Sequence, residues 1–312
     1  MRRLLSVFAL FAVLACTPAA SAQDCTPPAP VPATTGNNLL ANPDIENWTN
    51  SYTATNWTFS GSGASLSQST DAQSGTYAAK ITEGSSADSF TQNVGLGYFG
   101  RFTVWAKGTS GALFVLTMGG ATDIFAAPAD YAQFTAERHV VNLNPYKIGV
   151  TSQNGAHSLY VDNAALYALD ESSLMSTCLY DSAIFTESAN ITLSPGSMAG
   201  IIQYNDVNNW VAAVIQPTGN TYTQSTANHV IHFVKVVNGV FAAVISSLPI
   251  VYTPGATITL VRTAARLYVI SYNGAVVGNA TISDAIFDAA DSAGFFSTNF
   301  NNTFANFTWT AN

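Results

Sequence analysis

The sequence predicts an all-β protein, two β-sandwich domains in tandem after a secretory signal peptide. Three observations carry that expectation. Short runs rich in Val, Ile, Thr, Tyr and Phe recur along the 312 residues, separated by turn residues, and no convincing long helix interrupts them. Three Asn-Gly pairs stand between such runs: Asn154-Gly155 in SQNGAH, Asn238-Gly239 in VVNGVF and Asn273-Gly274 in SYNGAV. A Ser-rich patch holding Asp170 and Glu171, ALDESSLMSTCLYD, divides the chain into halves that are each long enough for a sandwich of their own.

The elements follow in order. MRR, then LLSVFALFAVLA, then ASA at 20–22 form a basic start, an apolar run and a small-residue cleavage site. Residues 1–22 therefore read as a signal peptide, too short for a membrane span, and no later apolar run is long enough for one. A second processing route competes: VLAC at 13–16 resembles a bacterial lipobox, which would make Cys16 a lipidated N-terminus and the protein an outer-membrane lipoprotein. Residues 23–36 form a Pro-rich, semi-extended linker. The first domain is expected over 37–170, a linker over 171–177 and the second domain over 178–312.

Only 9% of residues are charged, so the surface must be built from Ser, Thr, Asn and Gly, as in many secreted β-proteins. Cleavage after residue 22 removes Arg2 and Arg3 and takes the net charge from −8 to −10. Nucleic acid is excluded as a partner on that ground, because phosphate binding needs clustered Lys and Arg. Cys25 and Cys178 remain after either processing route. Two outcomes stand open for them, a disulfide tying the N-terminal segment to the interdomain segment or two free thiols.

Each Asn-Gly pair supplies the positive φ angles of a two-residue hairpin turn, so each is expected to join antiparallel strands. ATITLVR, RLYVISY and AVVGNATI alternate apolar and polar residues as half-buried strands do, and FFSTNFNNTFANFTW is expected as a last pair of strands. In NNLLANPDIENW, Asp44 and Glu46 are expected one strand-step apart on one face.

The first half resembles the galactose-binding-like jelly-roll family, in particular the carbohydrate-binding modules attached to glycan-degrading enzymes. NLLANPDIENW matches the family's opening, with Ile45 where Phe is usual. STDAQSGTYAAKIT matches its Ser-Gly turn and strand, and HSLYVDNAALYAL its closing strand with an embedded Asp. The second half is similar, on VNNWVAAVI, VKVVNGVF and LYVISYNGAVVG, to the concanavalin A-like/laminin-G-like sandwich. The first resemblance implies a structural calcium ion held by Glu46, Asp162 and the backbone near Ser74-Gly75, with Asp71 as an addition. Calcium takes several hard oxygens from sequence-distant segments, which a sandwich seam can bring together. The competing reading is that these acids are solvated edge charges and a turn former.

Catalysis is not expected. The catalytic members of the concanavalin A-like class carry a Glu-x-Asp-x-(x)-Glu strand, whereas the second half holds one Glu, Glu187. His229 and His232 in HVIH lie at i and i+3, on opposite faces of a strand, and cannot share a zinc ion easily. Binding leaves fainter marks, since sugars stack their apolar faces on exposed aromatic rings while amides and carboxylates bond the hydroxyls. The candidate ligand-binding residues are Trp105, Tyr131 and Trp210, the last with Tyr204 and Asn205, Asn208 and Asn209 in a rim loop. Trp57 is expected in the core. The expected function is non-catalytic binding of a polysaccharide or surface glycan. The alternatives are a structural or adhesive surface protein, and a divergent hydrolase or lyase.

Overall fold

The computed structural model describes residues 25–84, 88–95, 98–118, 121–140, 146–152, 155, 157–180, 182–217 and 229–312. The first half contributes β1 (Thr34–Thr35), β2 (Trp48–Asn50), β3 (Thr53–Ala54), β4 (Thr58–Ser60), β5 (Ser65–Ser69), β6 (Ala78–Thr82) and β7 (Ser89–Val94). It continues with β8 (Tyr98–Gly108), β9 (Leu113–Met118), β10 (Ala121–Ala126), β11 (Ala132–Val140), β12 (Tyr146–Ser152) and β13 (Ser158–Leu169). A six-stranded sheet in the order β11-β8-β13-β6-β5, with β1 added on β13, faces a five-stranded sheet in the order β10-β9-β12-β7-β4.

The second half contributes β14 (Met175–Leu179), β15 (Phe185–Thr192), β16 (Ala199–Asp206), β17 (Asn209–Pro217), β18 (His229–Val237) and β19 (Val240–Ile250). After these come β20 (Ala256–Arg262), β21 (Leu267–Tyr272), β22 (Ala275–Thr281), β23 (Ser292–Ser297) and β24 (Thr303–Ala311). Again a six-stranded sheet, β14-β23-β16-β17-β18-β19, stands against a five-stranded one, β22-β21-β20-β15-β24. The protein is all-β, two sandwiches in tandem, and among the described residues its helices are two short 3-10 turns, Glu171–Leu174 and Ala285–Ala289.

Each sandwich has its own core, drawn from the inward positions of alternating strands. In the first, Trp57 is buried and stacks on Phe90 at 4.6 Å, as its sequence context suggests, and Phe114, Phe125 and Phe134 form an edge-to-face cluster. In the second, Phe185, Ile191, Ile231, Phe233, Ile258 and Tyr268 fill the space between the sheets. Burying each such ring or branched chain contributes about 1.5–3 kcal/mol.

Two Asn-Gly turns behave as expected. Val237 pairs with Val240 across Asn238-Gly239, and Tyr272 with Ala275 across Asn273-Gly274, with φ of 50° and 74° in the first turn and 48° and 81° in the second. The third does not. Asn154 lies outside the described residues, and the flanking strands β12 and β13 belong to opposite sheets, so this connection crosses the sandwich. The C-terminal segment forms the two strands expected of it, but they do not pair with each other. β23 pairs with β14 and β16, β24 pairs with β15, and the turn at 298–302 carries the chain from one sheet to the other.

The Pro-rich segment is a strap docked on the body of the protein. Pro27, Pro30 and Pro32 are buried, Thr34 and Thr35 extend the first sheet by pairing with Leu169 and Ala168, and Cys25 is bonded to Cys178. The open question of the two cysteines is thereby answered as a disulfide, a bond that persists in oxidising compartments. Residues 171–177 form the first 3-10 turn, capped by the Asp170 carboxylate on the Ser172 N–H, and then enter β14 at Met175.

A third apolar cluster lies outside both cores. Phe99, Leu169 and Leu174 meet Met198, Ile202, Trp210, Val214, Val234, Val236 and Phe296, which come from the outer face of the second six-stranded sheet. Phe99 and Phe296 approach to 5.2 Å between ring centroids, and the Glu137 N–H donates to the Gly196 carbonyl at 2.9 Å. Among the described residues no helix is long and apolar enough to cross a membrane.

Candidate functional site

Strand β8 lies between β11 and β13, one in from the edge of the first six-stranded sheet. Phe102, Val104 and Ala106 point into the core, so Phe99, Arg101, Thr103, Trp105 and Lys107 share the outer face. One end of that row, Phe99 and Arg101, is taken up by the contact with the second sandwich. There Arg101 Nε bonds Glu137, whose carboxyl is buried; burial pushes its pKa up to about 7, against the opposing pull of Arg101 and Asn299.

The other end of the row is open. Trp105 lies opposite Gln133 on β11 and Asp162 on β13, and Lys107 lies opposite Tyr160. The Lys107 ammonium sits 4.9 Å from the centre of the Tyr131 ring and 5.2 Å from that of Tyr160, and pairs with the Asp71 carboxylate at 2.6 Å. Lys80 lies over the other part of Tyr160 at 5.6 Å. The Tyr131 hydroxyl donates to the Asp71 carbonyl at 2.7 Å; burial first, then the nearby Asp162 and Asp71 charges, keeps that phenol protonated well above its ordinary range. Trp105, Tyr131 and Tyr160 are each half-buried. The face thus offers flat apolar rings held in place by cation-π and ionic contacts, with a carboxylate, ammonium groups and the exposed Gln133 amide around them.

Behind this face lies the corner formed by Glu46 and Asp162. The expected strand over Asp44–Glu46 is absent: the segment is a turn, and the fully buried Ile45 adopts φ 56°, rare for a β-branched residue. That conformation leaves Asp44 in solvent and sends Glu46 across to the 73–77 turn, where its Oε1 accepts from the Thr76 and Tyr77 N–H groups at 2.8 and 2.9 Å. Gly75, at φ 67°, has no room for a side chain, since a Cβ there would lie 2.2 Å from the same oxygen. Asp162 sits at a bulge in β13 completed by Asn163 at φ 43°, and such bulges re-aim side chains. Its Oδ2 accepts from the Gln73 and Ser74 N–H groups and its Oδ1 from Asn163. Burial raises the Asp162 pKa, and the Glu46 charge adds to that rise against the relief from these N–H donors.

The structure therefore brings Glu46, Ser74 and Asp162 together, while Asp71 turns away to Lys107 on the aromatic face. It also presents backbone N–H groups of the turn to the two carboxylates, where carbonyls were expected. Two mutually repelling carboxylates, one of them buried, beside the Ser74 hydroxyl and the Gln73 amide oxygen that Asn163 Nδ2 bonds, form a hard-oxygen set that suits calcium. Among the described residues no three His, Cys, Asp or Glu side chains converge as a metal cluster, so main-chain or amide oxygens would have to complete the shell.

Trp210 departs from the sequence reading. It is 1% exposed, within the junction cluster, with its ring 6.0 Å from that of Phe296. The neighbouring Asn residues close a turn: Asp206 accepts from the Asn208 N–H and the Asn209 amide, and Asn209 in turn accepts from the Asn238 N–H. The histidines obey strand alternation. His229 stacks on Tyr252 at 4.3 Å, while His232 faces the opposite side of β18. The sequence places Lys107 beside Trp105 on this face but misses Tyr160; the alternation of HSLYVDN held that signal, and the register, which sets Tyr160 opposite Lys107, supplied what was missing.

No known protein family and no curated protein matches the chain. Solved structures that it resembles include the module TmCBM61 in complex with beta-1,4-galactotriose, at 20% identity and TM-score 0.34 over 43% of this chain and 99% of that one. Another is the N-terminal CBM22-1-CBM22-2 tandem of Paenibacillus barcinonensis Xyn10C, at 9% identity and TM-score 0.33 over 90% of this chain and 99% of that one. A third is a xylan beta-1,4-xylosidase from Bacillus halodurans C-125, at 13% identity and TM-score 0.32 over 43% of this chain and 29% of that one. The two-sandwich architecture rests on the sheets themselves.

Proposed function

We propose that the protein is a secreted, non-catalytic glycan-binding protein whose ligand lies on the outer face of the first six-stranded sheet. The observation that carries this reading is the set of half-buried rings on one face, Trp105 with Tyr131 and Tyr160, the two tyrosines braced by Lys107, which pairs with Asp71. Such rings offer an apolar platform of sugar width, and the amide and charged groups beside them bond hydroxyls. The names of the similar solved structures, two of them carbohydrate-binding modules, point the same way.

Calcium belongs to this proposal as a structural ion at Glu46 and Asp162. It would offset the repulsion between the two carboxylates and fix the 73–77 turn, whose neighbour Asp71 anchors Tyr131 and Lys107. The ion's part is charge neutralisation, and the chain's residues make all the contacts to sugar.

The test is retention of the mature protein on a panel of immobilised polysaccharides, competed with free oligosaccharide, with and without chelator. Retention on a polymer that W105A and Y131A each abolish at unchanged melting temperature is the expected result. No retention of a folded protein on any polymer would overturn the reading. A melting temperature that ignores both calcium and chelator would remove the ion from it.

A further inference from the structure

Tyr160, on the outer face of the first sheet, has a lysine on each side. In the register of that sheet it lies opposite Lys107 on β8 and opposite Lys80 on β6, and Ser67 on β5 comes next beyond Lys80. Leu159, Val161, Ala79 and Ile81, the neighbours along the two strands, are buried in the core, so Tyr160 and Lys80 point outward. Adjacent strands stand about 4.8 Å apart, which brings both ammonium groups to the one ring. Lys107 lies 5.2 Å from its centre and Lys80 5.6 Å.

The two lysines differ in what answers their charge. Lys107 pairs with the Asp71 carboxylate at 2.6 Å. Lys80 has no carboxylate and no hydrogen-bond acceptor among the described residues, and its ammonium reaches solvent. Elsewhere Arg101 is matched by Glu137, Lys235 by Asp284, and Arg262 and Arg266 by Asp288. The chain carries 18 acids and a net charge of −8, yet none of the described acids is spent on the cation that stands beside the aromatic platform. A carboxylate supplied from outside completes on this side of Tyr160 the arrangement that Asp71 completes on the other, through a charge-assisted hydrogen bond. The net charge also gives the protein no general attraction for polyanions, so a preference for an acidic ligand has to arise at the site itself.

We propose that the glycan held on this face is acidic, a polysaccharide containing uronate residues, with a sugar ring against Tyr160 and its carboxylate paired with Lys80. The assignment rests on the glycan reading and narrows its ligand class. Trp105 and the tyrosines then supply the platform, and Lys80 sets the specificity.

The test is calorimetric titration of the full mature chain with soluble trimers of galacturonate, glucuronate and mannuronate. Each is run beside its methyl ester, which keeps the sugar and removes the charge. At least one trimer should bind about tenfold tighter than its ester, that ratio being the worth of one charge-assisted hydrogen bond. K80Q should bring the acid down to the affinity of the ester at unchanged melting temperature, and K80R should restore the difference. W105A should lose acid and ester together. Equal binding of acid and ester by the wild type, or a preference that survives K80Q, overturns the assignment and leaves the glycan reading standing. So does retention on neutral polysaccharide with no binding of any uronate trimer. Dextran sulfate bound as tightly as the trimers, and lost in K80Q, marks a grip on any anion and overturns the uronate assignment. Absence of retention on every polymer, neutral or acidic, removes the glycan reading and this one with it.

Discussion

The two six-stranded sheets are built alike and used differently. Each carries a tryptophan on an outward-facing position of a non-edge strand, Trp105 on β8 and Trp210 on β17. Around Trp105 the outer face bears Lys107, Gln133, Tyr160 and Asp71, so the ring stays half open. Around Trp210 it bears Met198, Val214, Val234 and Phe296, and the first sandwich covers the ring. An aromatic residue on an outward strand position is therefore left open to solvent or covered by a domain contact according to its cross-strand neighbours, and those come from register.

The sharpest way to break this comparison is to truncate each tryptophan. W210A empties a buried site and should cost about 3–5 kcal/mol in denaturant unfolding. W105A should change stability by no more than about 0.5 kcal/mol while removing retention on polysaccharide. Equal losses from the two variants would contradict the division between covered and open faces. Next in size is the Cys25–Cys178 bond, which closes a long loop with a sequence separation of 153. Reduction, or C178A, should lower stability by about 2–4 kcal/mol and increase dye binding at the exposed junction cluster.

Two buried acids extend the comparison. Asp162 in the first sandwich has three backbone N–H donors, whereas Glu187, fully buried in the second, makes no hydrogen bond of good geometry among the described residues and has only the nearby Gly294 and Ile202 backbone. Burial raises the Glu187 pKa well above 4.5, with only the Gly294 and Ile202 backbone opposing it. The folded state therefore holds a proton that the unfolded chain releases. That contribution to stability is complete below about pH 4.5 and is lost as pH rises toward the folded value. E187M, of similar volume and without the acid, should flatten this dependence and gain about 1–3 kcal/mol at neutral pH. A wild-type melting curve unchanged between pH 4 and pH 7 would refute it. G75A should cost about 1–2 kcal/mol for a side chain in the left-handed region, and weaken binding at the proposed calcium site as Glu46 is pushed out of the turn.

Much of the fold is legible from the residues. Asn238-Gly239 and Asn273-Gly274 specify their hairpins because both φ angles are dictated locally, and RLYVISY alternates because one of its faces is wet. The same logic fails where a connection crosses between sheets, as at 153–157 and at 298–302, since strand spacing alone does not tell a hairpin from a crossover. It fails again at Trp210, although WVAAVI is apolar at every position, a pattern that marks a strand buried on both faces. Of the candidate site, Trp105 and Tyr131 were readable as aromatic strand residues. Their grouping with Tyr160, and the diversion of Asp71 to Lys107, depend on side-chain contacts between segments up to 89 residues apart, counted from Asp71 to Tyr160.

The bond between Cys25 and Cys178 encloses residues 26–177, and with them every strand of the first sandwich, in a covalent loop. Tension applied between Cys25 and the C-terminus passes through the sulfur atoms to Leu179 and onward, so the first sandwich bears none of it. A filament or surface pulling on the molecule would strip the second sandwich open while the outer face of the first sheet stayed intact. The first sandwich is thus mechanically shielded, a property that rupture-force measurements with and without reductant would reveal directly.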